Sequence, residues 1–341
     1  MRTHFLRALS LITIFSFAST VYAGAGREVD APNALIVYSG RGEALVAPLV
    51  SKFQQKTGIK VQVRYGGTSE LAVLIGEEGK ASPADVFWAQ DGGALGSLAE
   101  GGFFDALPRA LVRDVPDLYR GQGDAWVAVS GRARVLAYSP LRVGAGDFPA
   151  SIYDLTQPKY RGKVGWAPTN ASLQAQITAM RVANGDEHTA AWLRAMAANG
   201  TKAYGNNTSL IEAIAAGEID YAIPNNYYLL RYLAADPQYP VAQRFFAPGD
   251  IGNLVNVAGA GILKTAKNRD GARKFLDFLL DEEAQAYFTN EIYEYPVVSG
   301  VAPNPRLVSL EELIAAAPTI GIGSISDLAG TLELMRSAGA L

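Results

Sequence analysis

The sequence predicts an α/β chain of two lobes, each a mixed, mostly parallel sheet flanked by helices, joined by two hinge crossings. Three observations lead there. A chain of 341 residues exceeds the usual size of one domain. Short apolar runs alternate with helix-like segments from the start, the rhythm of a doubly wound sheet. The apolar run at 125–140, "AWVAVSGRARVLAYSP", is long enough to pass between lobes before Pro140 ends it, and a second extended run, "NLVNVAGAGIL", follows at 253–263.

In order, "ALIVY" reads as a strand, "GEALVAPLVSKFQQKTG" as a helix and "KVQVRY" as a strand. "TSELAVLIGEEGK" follows as a helix capped by Thr68 or Ser69, and "ADVFWA" as a strand. Beyond the first crossing come a strand in "KVGWAP", helices over about 171–183 and 188–198, the helix "SLIEAIAAG" ending at Gly217, the strand "IDYAI" and a helix starting near Tyr227. The second crossing leads into one periodic helix, "DGARKFLDFLLDEEAQAYFTN", back in the first lobe. The expected boundaries are a leader over 1–23, an N-lobe of 24–130 and 256–305, and a C-lobe of 131–255 and 306–341. Polar loops at strand ends in the cleft between lobes are where a small ligand should bind.

The leader carries Arg2 and Arg7, an apolar run to about Phe17 and an A-x-A-like site at Val21-Tyr22-Ala23, so it reads as a secretory signal cut after Ala23. Its apolar run is short of the roughly 20 residues a membrane span needs. Loss of the two arginines takes the net charge from -3 to -5, which argues against nucleic acid or an anionic membrane as partner. With no cysteine, thiolate catalysis, thiolate metal sites and a lipidated anchor are excluded. The expected product is a freely soluble periplasmic protein.

Enzymatic chemistry is poorly supplied. His188 is the one histidine left after cleavage; it reads as a solvated helix residue, and no G-x-S-x-G elbow, zinc pair, Walker sequence or G-x-G-x-x-G accompanies it. Hard oxygen and polar nitrogen are abundant instead, in "YSGRG", "YGGTS", "WAQDGG", "APTNAS", "GNNTS" and "PNNYY". Helix starts at Ser69, Ser172 and Asn207 offer positive dipole ends suited to anions. The pair Tyr227-Tyr228 means little alone, since 16 tyrosines give roughly 0.7 adjacent pairs by chance.

Five long stretches give it context: "LIVYSGRGEALVAPLVSKFQQKTGIKV", "PADVFWAQDGGALGSLAEGG", "SGRARVLAYSP", "NGTKAYGNNTSLIEAIAAGEIDYAIPNNYYLLRYL" and "AGILKTAKNRDGARKFLDFLLDEEAQAYF". In these the chain resembles the periplasmic ferric-ion-binding proteins, the monomeric solute receptors of iron(III) ABC importers, with a class II periplasmic-binding-protein fold. The resemblance implies Fe3+ as transported ligand, an inner-membrane ABC permease as partner, and Tyr227 and Tyr228 as phenolate ligands. One branch of the family adds a histidine and a glutamate where this chain has Gly42 and Gln90. A second adds a tyrosine that Tyr138 matches, which implies a three-tyrosine site completed by carbonate or a similar anion. Arg41, Gln90, Arg132, Ser172 and Asn207 are the expected anion donors, with Ser39, Gly40 and Asn225 in support. Arg132 and Arg134 are expected to face opposite ways, so that at most one enters the cleft, and Asn225 and Asn226 to cap the tyrosine helix. A receptor for a small oxyanion or an organic phosphate or phosphonate is the alternative; an extracytoplasmic hydrolase has the least support.

Overall fold

The computed structural model describes residues 34–341, and the expected leader with its cleavage after Ala23 lies outside them. In chain order the strands are β1 (Leu35–Ser39), β2 (Val61–Tyr65), β3 (Val86–Ala89), β4 (Val127–Ala133), β5 (Leu136–Tyr138), β6 (Val164–Trp166), β7 (Lys202–Ala203), β8 (Tyr221–Ala222), β9 (Ala242–Arg244) and β10 (Val255–Ile262). They form two five-stranded sheets, ordered β2-β1-β3-β10-β4 and β7-β6-β8-β5-β9. Within each sheet four strands run the same way, and the fifth, β10 in the first and β5 in the second, is antiparallel to both neighbours.

The long apolar run at 125–140 is what joins them. Only Arg134 and Val135 separate β4 from β5, yet these two strands belong to different sheets. The chain returns to the first sheet through β10, after Leu254, whose side chain lies in the core of the second. Both crossings therefore fall where the two extended runs predict them.

Period-two alternation on β1 explains why the first sheet is covered on both faces. Leu35 and Val37 face a core holding Phe53, Trp88 and Phe275, while Ile36 and Tyr38 face Leu71, Ile75 and Phe87. The helix Glu43–Thr57 buries Leu45, Val46, Leu49, Val50 and Phe53, the stripe its spacing dictates, and ends at Gly58, whose φ of 72° suits a residue without Cβ. Phe275 is wedged edge-on between Phe53, at 5.1 Å, and Trp88, at 5.7 Å; Trp88 in turn meets Phe288 edge-on at 6.4 Å. In the second sheet Leu136, Val164, Trp166 and Tyr221 face Leu173, Ile177, Met180 and Trp192, and Ala137 and Ala222 face Leu210 and Leu229.

Two local expectations are corrected and one is met. The helix from "TSELA" has Gly67 at its N-cap, with Thr68 and Ser69 inside the first turn, because the Thr68 hydroxyl is drawn to a neighbouring loop. The two helices expected over 171–198 are both present: the helical run Ala171–Ala198 is interrupted at Gly185, whose φ of 82° and ψ of 165° lie outside the helical region. The single helix expected after β10 divides into Arg269–Leu279 and Glu282–Tyr287, since the Asp281 carboxylate accepts from Ala284 N–H at 2.9 Å and starts a new helix. Among the described residues no helix is long and apolar enough to cross a membrane.

Candidate functional site

The tyrosine pair opens the helix Asn226–Ala235, which follows β8 after a three-residue link. Tyr227 is fully buried and Tyr228 half-buried, and their rings stack at 4.3 Å between centroids. Although its helix follows a strand of the second sheet, the Tyr227 ring lies in the core of the first. Gln90, just beyond β3, donates from Nε2 to the Tyr227 phenol oxygen at 2.8 Å. An amide donor at that oxygen favours the phenolate over the phenol.

A relay of small residues holds Gln90 in place. Its backbone N–H donates to Thr68 Oγ1 at 3.0 Å, and that hydroxyl donates to the Gly40 carbonyl at 3.3 Å. A Cβ on Gly40 would lie 2.8 Å from the Thr68 Cα, inside van der Waals contact with backbone. Gly40→Ala is therefore expected to destabilise the protein by about 1–3 kcal/mol, read by denaturant unfolding, and to displace Gln90 from Tyr227. Ser39 keeps the same loop closed, its Oγ 3.2 Å from both the N and O of Arg41.

Three arginines surround the pair, all buried: Arg41, Arg132 and Arg134. Arg41 donates through Nη1 and Nη2 to the two carboxylate oxygens of Glu294, at 2.9 and 3.0 Å. Arg132 donates from Nη2 to Ser172 Oγ at 3.3 Å and keeps Nε and Nη1 buried without a partner. Arg134 donates to Gln176 Oε1 at 3.1 Å, to Asn225 Oδ1 at 3.3 Å and to the Ile223 carbonyl. The expected division of Arg132 and Arg134 between opposite faces is wrong. Residues two apart on a strand share a face, and here both guanidinium groups reach one polar cluster, tied together where Asn225 Nδ2 donates to Ser172 Oγ at 3.1 Å.

This electrostatic setting is unusual for a phenol. Burial, reinforced by neighbouring Tyr228, pushes the Tyr227 phenol well above its ordinary value of 10, with Arg41 pulling the other way. Burial likewise lowers the Arg132 guanidinium, opposed by Tyr227 and by Asp91. Arg134 is pushed down to about 9 by burial and by Arg132. Burial acts against Arg41 too, but Glu294 and Tyr227 hold it above its usual range. Asp91 caps the helix Gly92–Glu100 through Oδ1, leaving Oδ2 buried without a partner; burial raises this carboxyl and Arg132 opposes the rise.

The structure thus gathers Arg41, Gln90, Tyr227 and Tyr228, with Arg132, Ser172 and Asn225 adjoining. Asn207 stands one step away, donating to Asn170 Oδ1 at 3.3 Å, the atom that also accepts from Ser172 N–H at 3.1 Å; Asn207 Oδ1 is buried without a partner. Asn225 occupies the N-cap but makes no side-chain cap, being held by Arg134 and Ser172, and Asn226 accepts from Ala133 N–H at 3.0 Å.

Tyr138 is not brought to this group. It ends β5 on the face shared with Leu136, its ring edge-on to Phe148 at 4.7 Å, and lines a cavity of about 500 Å³ with Arg244, Phe246 and, from the tyrosine helix, Asn226 and Leu230. Ala137 takes the opposite face, toward Leu229 of the tyrosine helix. Glu294 and Ser130 were missed from the sequence: Glu294 lies 253 residues from Arg41, in a stretch with no motif. The only signal was chemical, a buried arginine needing a counter-charge. His188 is exposed, edge-on to Tyr153 at 5.1 Å.

Residues 35–291 match the family described as bacterial extracellular solute-binding protein. Over 340 residues, 98% of this chain and 99% of the relative, the chain is 32% identical to the Fe(3+)-binding periplasmic protein of Serratia marcescens. The iron-bound structure of HitA from Pseudomonas aeruginosa superposes with a TM-score of 0.85 at 33% identity, covering 90% of this chain and all of HitA. A Trichodesmium protein solved with iron and citrate gives 0.72 at 30% identity, over 90% of this chain and all of that one. The family match over most of the chain, together with similarity to relatives along almost its whole length, settles the assignment: the chain belongs to the bacterial extracellular solute-binding proteins.

Proposed function

We propose that this protein captures ferric iron in the periplasm, with the Tyr227 and Tyr228 phenolates as its ligands, and delivers it as a monomer to an inner-membrane ABC permease. The observation that carries the reading is the phenol pair itself: two stacked tyrosines, one fully buried, amid arginines and neutral amide donors. Ferric iron is a hard cation that favours anionic oxygen. A buried phenol with a raised pKa stays protonated until a cation of high charge displaces the proton, so the empty site disfavours weaker Lewis acids. Relatives named or solved as ferric-binding proteins support the same reading.

Two phenolates leave an octahedral ion with open positions, and a small anion fills them; carbonate is the anion we propose. Arg132 is its best-placed partner, having two buried nitrogens free of protein acceptors, with Ser172 and the helix start at Ala171 beside it. A charge-assisted bond of this kind contributes roughly 1.5–3 kcal/mol. Tyr138 enters as a ligand only if the chain around β5 rearranges, and the proposal does not need it.

Ferric titration in bicarbonate buffer tests the reading. A visible phenolate-to-iron charge-transfer band is expected, weakened when carbonate is depleted and largely lost in Tyr228→Phe, while far-UV circular dichroism stays unchanged. Colourless protein under these conditions, with tight binding of a phosphate ester instead, would establish the oxyanion-receptor alternative.

A further inference from the structure

Glu294 has no part in the site as read so far, yet it is the most tightly held carboxylate near it. Its side chain and that of Arg41 are both 0% exposed. The fork to Arg41 uses both carboxylate oxygens, and Ser130 Oγ donates to Oε2 at 2.5 Å. The backbone that delivers it is equally constrained. Tyr293 adopts φ 64°, the left-handed region a bulky residue avoids; Glu294 N–H donates to the Phe288 carbonyl; Tyr295 exchanges both backbone bonds with Gly131 at 2.8 Å.

Arg41 and Arg132 consequently differ in what they can offer. Arg41 has both terminal nitrogens committed to a carboxylate and only Nε without a partner, whereas Arg132 has one bond to a neutral hydroxyl and two nitrogens without one. Both guanidinium groups feel the Tyr227 oxygen electrostatically, so both contribute to the field at whatever binds there.

Building on the ferric reading above, we propose that Glu294 is a positioning residue that neutralises Arg41 and so sets the charge of the anion accepted beside the metal. With the Arg41 charge cancelled, the anion meets the field of Arg132 and Arg134, and a dianion such as carbonate is balanced there. Without Glu294 the same space holds one more uncompensated positive charge. A bound cation is then disfavoured and a more highly charged anion favoured. For unit charges several ångströms apart in a partly buried site, the effect on binding is about tenfold or more.

The test compares Glu294→Gln and Glu294→Asp with wild type by following the charge-transfer band in ferric titrations with bicarbonate or with citrate as the added anion. The readout is the ratio of apparent ferric affinities in the two anions, each referenced to wild type in the same solution. Glu294→Gln is expected to move that ratio about tenfold or more toward citrate. Glu294→Asp, which loosens the fork but keeps the charge, should leave the ratio near wild type, and adding Arg41→Gln to Glu294→Gln should restore it. A merely structural carboxylate would lower stability in both single variants without moving the ratio in either, and that result overturns the proposal. So does a double variant that keeps the shift toward citrate. If Glu294→Gln yields no folded protein, Arg41→Gln alone carries the opposite sign and must move the ratio toward bicarbonate; an unchanged ratio rejects the proposal. Failure of wild type to bind ferric iron at all would reject the ferric reading itself, a separate outcome seen before any variant is made.

Discussion

A drop of about two pH units is expected to weaken ferric binding about ten-thousandfold at fixed free iron and fixed free carbonate dianion. Each phenol must surrender a proton to become a ligand, and Tyr227 is held above its ordinary value by burial and by Tyr228. The Tyr227 phenol therefore remains protonated across the whole neutral range in the iron-free protein, and binding an ion through two phenolates displaces two protons. Acid opposes the release, so affinity falls about tenfold per pH unit for each proton, or about a hundredfold per unit for the pair. The measurement is a competition titration at several pH values against a chelator whose own pH dependence is known. A slope near one would mean that a single phenolate binds, and a flat profile that neither does.

Phe275→Ala should cost about 3–5 kcal/mol of stability, the range for emptying a fully buried aromatic position. Phe275 is 0% exposed and holds edge contacts on two sides, with Phe53 and Trp88. Its loss opens a void under β3, the strand that leads to Gln90. Denaturant unfolding of the iron-free protein is the appropriate measurement, because bound ligand adds stability by mass action. The midpoint should fall with an unchanged slope. Leu141→Ala, at a position 79% exposed, should stay within about 0.5 kcal/mol of wild type.

The elements were legible in the sequence because alternation and helical spacing are local. β1 to β3, the helix from Glu43 and both crossings follow from residues a few positions apart. The tyrosine pair was legible once its neighbourhood was compared with a family. What stayed hidden depends on contacts between distant residues. Nothing local pairs Arg41 with Glu294, and nothing local says that Thr68, a good capping residue by type, will instead hold Gln90. Tyr138 shows the converse: the resemblance pointed to it, while the pleat of β5 turns its ring toward Phe148. The shared face of Arg132 and Arg134 is itself a local property, since side chains two apart on a strand point the same way.

The two-residue link between β4 and β5 has a consequence for how cargo is gripped. Arg134 N–H donates to the Leu254 carbonyl, beside the return crossing, and Val135 N–H donates to the Pro224 carbonyl, just before the tyrosine helix. The chain passages between the sheets are thus laced to one another along a common axis. Rotation about such an axis moves atoms in proportion to their distance from it, and Arg132 and Tyr227 each lie only two residues from the bridged pair Arg134 and Asn225. On the ferric reading proposed above, Arg132 and the tyrosine pair would keep nearly the same mutual geometry as the sheets turn about that axis. The expectation on that reading is that an ion meets these groups already in place, so that binding needs little reordering of them.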